Sequence, residues 1–206
     1  MTQRHRLIAA AALVLLAGCA AAPATRYYVL NPTAPAPAAA QGAARAAPES
    51  IAVVIKEVRL PQYLDRREIV IRGGDHQLRM VENEQWAGNL REDMTRVLAD
   101  NLGRFLESER VVAAPHRLKM QPDFRVEVEV LRFEREAGGR VGLAARWWLT
   151  QGADATLLAS PEITLSGAPL GAGASYEAVV ASMSSVYGEL AQAIARSIRS
   201  QQAGRS

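Results

Sequence analysis

Residues 123–136 read DFRVEVEVLRFERE, and their alternation decides the fold. Phe124, Val126, Val128 and Val130 fall on one face, and Arg125, Glu127 and Glu129 on the other. A period of two with one charged side marks a half-buried strand, one face on a core and one in water. The phase slips at Leu131, because Leu131 and Phe133 share the parity of the charged set. One extra residue there, a β-bulge, restores both faces. Ala137-Gly138-Gly139-Arg140 is a turn signal, after which Val141, Leu143, Ala145, Trp147 and Leu149 alternate back. Gln151-Gly152-Ala153-Asp154 is a second turn, and Thr156 to Ser166 returns. Together these stretches predict a three-stranded meander.

On both sides of the meander the apolar period changes to three and four. Trp86, Leu90, Met94, Val97, Leu98, Leu102 and Phe105 form one stripe, with Asn83 or Asn89 placed to cap its start. Tyr176, Val179, Val180, Met183, Val186, Tyr187, Leu190, Ile194 and Ile198 form another, behind the candidate cap Ser175. Ile51 to Val58 reads as an apolar strand. Glu68 to Arg72 and Gln77 to Val81 flank Gly73-Gly74-Asp75-His76 as a hairpin. Arg26 to Leu30 and Arg110 to Ala114 are short strand candidates. The sum is a single mixed α/β domain. We expect a mixed, mostly antiparallel sheet with two long amphipathic helices, Gly88–Leu106 and Ser175–Ser200, packed on it.

The N-terminus has a different composition. Arg4, His5 and Arg6 precede an apolar run, Leu7 to Leu16, which leads into Leu16-Ala17-Gly18-Cys19. A positive start, a short apolar stretch and small residues at the cut make a secretory signal peptide. The run is too short to span a ~30 Å hydrocarbon core. The expected boundaries are a signal peptide at 1–18 and a lipidated N-terminus with tether at 19–25. A single domain follows at 26–200, with a disordered tail at 201–206. Asn31 to Ser50, rich in Ala and Pro, is expected to be a mobile loop inside that domain.

Removing residues 1–18 from the 206 leaves 188, enough for one domain with a real core. The net charge of +3 falls to +1, because Arg4 and Arg6 leave with the leader. No Lys/Arg run reads as a nucleic-acid face. Cys19 is the sole cysteine, so no internal disulfide is available.

Catalytic patterns are missing from the sequence. His76 lies in the hairpin turn and His116 follows Pro115, and neither has a partner at metal-ligand spacing. There is no H-E-x-x-H, G-x-S-x-G or P-loop. We therefore expect no enzyme, no metal and no cofactor beyond a covalent lipid on Cys19. Trp147-Trp148 puts one indole inward and one outward; the outer, Trp148, is either half-covered or an anchor for a partner. Leu60-Pro61-Gln62-Tyr63-Leu64 leaves a strand through a proline, with Arg66 and Arg67 beside it. Tyr63, Leu64 and Arg66 are expected to be exposed partner contacts; the alternative is that Tyr63 and Leu64 fold back over a sheet edge.

L-A-G-C resembles the bacterial lipobox, in which the cysteine is lipidated and becomes the new N-terminus. Further stretches extend the resemblance. They are Tyr27-Tyr28-Val29-Leu30, Val58-Arg59-Leu60-Pro61 with Tyr63-Leu64-Asp65-Arg66, and Ile69-Val70 before the hairpin. Trp86-Ala87-Gly88 with Leu90, Leu98-Ala99-Asp100-Asn101-Leu102 and Leu190-Ala191-Gln192-Ala193-Ile194-Ala195 follow in order. The whole resembles the ABC-type transport auxiliary lipoproteins, specifically the paraquat-inducible (PqiC) type. The resemblance implies an outer-membrane lipoprotein facing the periplasm, partnered with an MCE-domain (mammalian cell entry) membrane protein that moves lipids between membranes. It also implies an α/β body, no catalysis in this subunit and room for a homo-oligomer around an MCE tunnel. Ala20, not Asp, follows Cys19, which fits outer-membrane delivery under the enterobacterial sorting rule. The alternative is a structural or chaperone-like envelope lipoprotein without a transport role.

Overall fold

The computed structural model describes residues 23–35, 50–115, 121–151 and 154–204. Among these residues, nine strands and two helices build one domain. The strands are β1 (Arg26–Tyr28), β2 (Val53–Arg59), β3 (Glu68–Gly74), β4 (Gln77–Trp86), β5 (Val111–Ala113), β6 (Phe124–Arg135), β7 (Val141–Gln151), β8 (Thr156–Ala159) and β9 (Glu162–Ser166). The helices are α1 (Leu90–Leu106) and α2 (Tyr176–Ala203).

Strand β6 organises the sheet. It pairs with β7 antiparallel along its whole length, so β2 and β3 share its other edge. The register shifts between Val130 and Arg132, where the sequence asked for a bulge, and the extra residue Leu131 is exposed. The main path runs β1-β4-β3-β6-β2-β5, with β7 off β6 and both β8 and β9 on β7. Along that path β1–β4, β3–β6, β6–β2 and β2–β5 are parallel, and β3–β4 alone is antiparallel. The expectation of a mostly antiparallel sheet is corrected: the path is mostly parallel. The meander and the hairpin were visible because they pair through short turns. The parallel pairs join strands far apart in the chain, and local pattern does not reveal them.

Four further boundaries differ from expectation. Trp86 ends β4 and does not open the helix. Its amide hydrogen-bonds to Arg67 O, and α1 starts after Asn89, whose Oδ1 accepts the Glu92 amide. The expected strand Thr156–Ser166 is two strands, because Pro161 has no N–H to continue the ladder. Helix α2 continues through Ala203, so 201–203 are helical and do not belong to a disordered tail. Asn31 to Pro35 is held in place, with Ala34 buried, so the expected loop begins no earlier than residue 36. Residues 36–49, His116 and the Gly152-Ala153 turn lie outside the described residues, as do the leader, Leu16, Ala17, Gly18 and Cys19.

Both helices lie on one face of the sheet, α1 against β2 and β5 and α2 against β6, β7 and β9. The α1 stripe Leu90, Met94, Val97, Leu98, Leu102 and the α2 stripe Val179, Met183, Val186, Tyr187, Leu190, Ile194, Ile198 are buried. They meet the inward set Val126, Val128, Phe133, Leu143, Ala145, Trp147 and Leu149. Tyr187 is fully buried, tilted against Phe133 with ring centres 6.0 Å apart. Its hydroxyl donates to Met94 O at 3.0 Å, which joins the two helices. Among the described residues the opposite face of the sheet carries no helix, and it is the face on which the charged set of β6 lies.

Candidate partner-docking site

The candidate site has three parts, the first two on the helix-free face and the third beside the start of α2. On β6 the outward residues Glu127 and Glu129 stand opposite Trp148 and Arg146 of β7. On the other side they stand beside Glu57 and Arg59 of β2. The register of β2 slips by one residue between Ile55 and Glu57, and this turns Lys56 outward as well. Lys56 Nζ donates to Glu127 Oε1 at 2.7 Å. Arg59 lies 3.5 Å from Glu57 and 3.6 Å from Glu127. The same guanidinium stacks over the Trp148 ring, 5.4 Å from its centre. Trp147 is buried and Trp148 half-buried, the alternation the sequence asked for. At that distance the guanidinium and the half-buried indole make a cation–π contact.

The second part is the Pro61–Asp65 turn. Here the sequence expectation of exposure fails. Leu64 is 3% exposed, and Tyr63 is half-buried with its hydroxyl donating to Glu134 Oε2 at 2.8 Å. Leu64 packs into the core, and the Tyr63 hydroxyl is tied to β6. The reason is Glu134, which is fully buried and whose oxygens need donors. It receives Tyr63, Arg72 Nε at 2.9 Å and Nη2 at 2.7 Å, and the Phe133 amide at 3.0 Å. Burial, then the hydrogen bond to the Glu134 carboxylate, pushes the Tyr63 hydroxyl well above the ordinary phenol range. The hydrogen bond to Glu134 raises Arg72. The turn is therefore clamped to the sheet. Arg66 is half-buried and paired with Glu68 at 2.9 Å, and that bond holds the Glu68 carboxyl below its usual value.

The third part lies at the tether end, where β1 pairs in parallel with β4. Glu84 is buried and accepts Arg26 through both nitrogens and Tyr28 Oη at 2.6 Å. Burial alone would raise this carboxyl; the bonds from Arg26 and Tyr28 outweigh it and hold the group low. The sequence reading missed Arg59 and Glu84. Arg59 showed only as a wet residue at a strand end, and its partner depends on β2 lying parallel beside β6. Glu84 carried no local signal.

Of the four residues expected to bind a partner, Trp148, Arg66 and Tyr63 are half-buried, Tyr63 with its hydroxyl tied to Glu134, and Leu64 is buried. Two surface depressions, about 870 and 520 Å³, flank α1 and are walled by mixed charges, Asp100, Arg104 and Glu107 in one, Lys56, Glu92 and Arg96 in the other. Among the described residues no group of three or more His, Cys, Asp or Glu side chains could hold a metal ion. No described helix is long and apolar enough to cross a membrane.

The family model of the ABC-type transport auxiliary lipoprotein component matches residues 28–195. The chain belongs to this family. The auxiliary lipoprotein is similar in fold to a solved structure described as an uncharacterized protein. That superposition has a TM-score of 0.68 and 20% identity, and covers 85% of this chain and 99% of the other. It is similar also to a Xanthomonas campestris protein of the DUF330 family, with a TM-score of 0.65 and 15% identity, covering 88% and 100%. At such identities the likeness is one of fold. No curated protein matches the chain. The auxiliary lipoprotein is thus a component of an ABC-type transport system, in a family that is generally non-enzymatic.

Proposed function

We propose that this chain is the outer-membrane accessory lipoprotein of an MCE-type lipid transport system, of the paraquat-inducible type. It is cleaved after Gly18, lipidated on Cys19 and docked to an MCE-domain partner in the periplasm. The observation that carries the reading is the family match over residues 28–195, because it spans the body from β1 to the last turns of α2. The auxiliary role therefore belongs to the whole domain. The lipobox Leu16-Ala17-Gly18-Cys19 and the small Ala20 support the anchor and the destination. Two or more acyl chains hold a protein at a bilayer where one alone binds weakly. For docking we favour the helix-free face at Trp148 and Arg59, with Arg66 at its margin. A half-buried tryptophan in cation–π contact with arginine, within a polar surround, has the make-up of a hot spot with its rim.

The test is crosslinking of the full chain in a Gram-negative host, followed by purification and mass spectrometry. The mature N-terminus should be a lipidated Cys19, and an MCE-domain protein should be enriched. A correctly lipidated chain that enriches none would favour the structural envelope lipoprotein instead.

A further inference from the structure

Strand β1 begins seven residues after Cys19 and is the last strand at its end of the sheet. It covers β4 only at Glu84–Trp86, so among the described residues Gln77–Asn83 of β4 has no strand on that side. The chain leading into β1 passes there: Pro23 and Ala24 share a surface depression with Arg79, Met80 and Glu82. Of the large apolar side chains most exposed among the described residues, Tyr27 at 65%, Met80 at 47% and Val29 at 46% belong to this end. Arg67 and Arg79 are exposed and have no ionic partner among the described residues. The nearby acids Glu84, Glu68 and Asp65 are taken up by Arg26, Arg66 and Arg91. Glu82 is the exposed acid that remains on this stretch of β4.

Four residue steps separate Cys19 from Pro23, a reach of about 14 Å at full extension. The β1–β4 edge is thus the part of the body that an anchor at Cys19 keeps nearest the bilayer. Tyrosine has an apolar body and a polar tip, which suits the headgroup layer. Arginine pairs with phosphate through a planar fork. We propose that this edge is a membrane-seating surface, Tyr27 and Met80 entering the headgroup layer and Arg67 and Arg79 meeting the phosphates of anionic lipids. The proposal rests on the lipid anchor at Cys19.

Cys19 is consumed by lipid, so a cysteine introduced elsewhere is a unique labelling site. Tyr27→Cys, Met80→Cys and the control Leu157→Cys, on β8 at the far side of the sheet, would each carry an environment-sensitive fluorophore. Each lipidated full chain is reconstituted into vesicles of phosphatidylethanolamine and phosphatidylglycerol and floated on a density gradient. Emission at 27 and 80 should shift to shorter wavelength, and emission at 157 should not. The shift should shrink in Arg67→Glu/Arg79→Glu, and also in vesicles of phosphatidylcholine alone, a charge test that needs no folded variant. Chains that float with 27 and 80 as wet as 157 overturn the seated edge alone. Chains that fail to float overturn the anchor and the edge together.

Discussion

The Glu134 clamp decides whether the Pro61–Asp65 turn is a docking loop or part of the core, and it can be measured. Tyr63→Phe removes one hydrogen bond to a charged acceptor and leaves the ring in place. A bond of that kind contributes about 1.5–3 kcal/mol. Glu134→Gln keeps the shape but strips Arg72 of its counter-charge. Breaking a buried pair costs roughly 3–5 kcal/mol; the low end applies, because Arg72 keeps 24% of its side chain in water. The two losses share one bond, Tyr63 Oη to Glu134 Oε2. The double variant should therefore fall short of the sum by ~1–2 kcal/mol. Urea unfolding of a chain lacking residues 1–22 reads all four corners of the cycle, provided the denaturant slope stays constant. A coupling below ~0.5 kcal/mol would mean that the hydroxyl is not held by the carboxylate. The turn would then be loose, and Tyr63 and Leu64 would return as docking residues.

Leu102→Ala in α1 and Leu190→Ala in α2, both fully buried, should each cost ~2–5 kcal/mol in the same assay, and a loss below ~1 kcal/mol at both would place the stripes elsewhere. The lowered Glu84 carboxyl stabilises the fold fully above the ordinary carboxylate range near ~4.3, and that stabilisation is lost as pH falls through its lowered value. Glu84→Gln should flatten the acid side of the stability curve, and a curve that keeps its acid-side slope would show that Arg26 and Tyr28 do not hold the charge. Trp148→Ala should leave stability within ~1 kcal/mol, since the ring is half-exposed, yet reduce crosslinking to the proposed MCE-domain partner; undiminished capture would remove Trp148 from the proposed interface.

What the sequence revealed follows the range of the interactions. Strand β6, its bulge at Leu131, the return through β7 and both helical stripes depend on neighbours two to four residues away or across a short turn, and all are present. Parallel pairing is different. β2 meets β6 and β5, and β1 meets β4, across dozens of residues, and nothing in IAVVIKEV tells which neighbour it takes. The same gap hid the site. Trp148 was visible as an outward indole, but Arg59 became its partner only once β2 and β7 flanked β6. The exposure expected of Leu64 failed for a related reason. A proline-bearing exit from a strand ordinarily lies on the surface, and the buried Glu134 that pulls this one down sits 71 residues away from Tyr63.

The segment after β1 ties the anchor end to the core. Leu30 is fully buried, and its amide bonds Asp93 Oδ2 at 2.8 Å. Asn31 N–H donates to Ser184 Oγ, and Thr33 and Ala34 N–H both donate to Asn101 Oδ1, at 2.9 and 2.8 Å. These amides lie outside any strand, so side chains of α1 and α2 take the place of a ladder. That explains two polar residues in otherwise apolar helix faces, Asn101 and Ser184. It explains Gly188 too, since a Cβ there would lie 1.9 Å from Thr33 Oγ1, and the strap needs that close approach to α2. The chain is therefore fastened to β4 by residue 28 and to both helices by residue 34. Six residues, 20–25, lie between the lipidated cysteine and that fastening. The orientation of the helix-free face against the membrane is then set by six residues, and a partner that docks at Trp148 meets a body whose tilt the tether already limits.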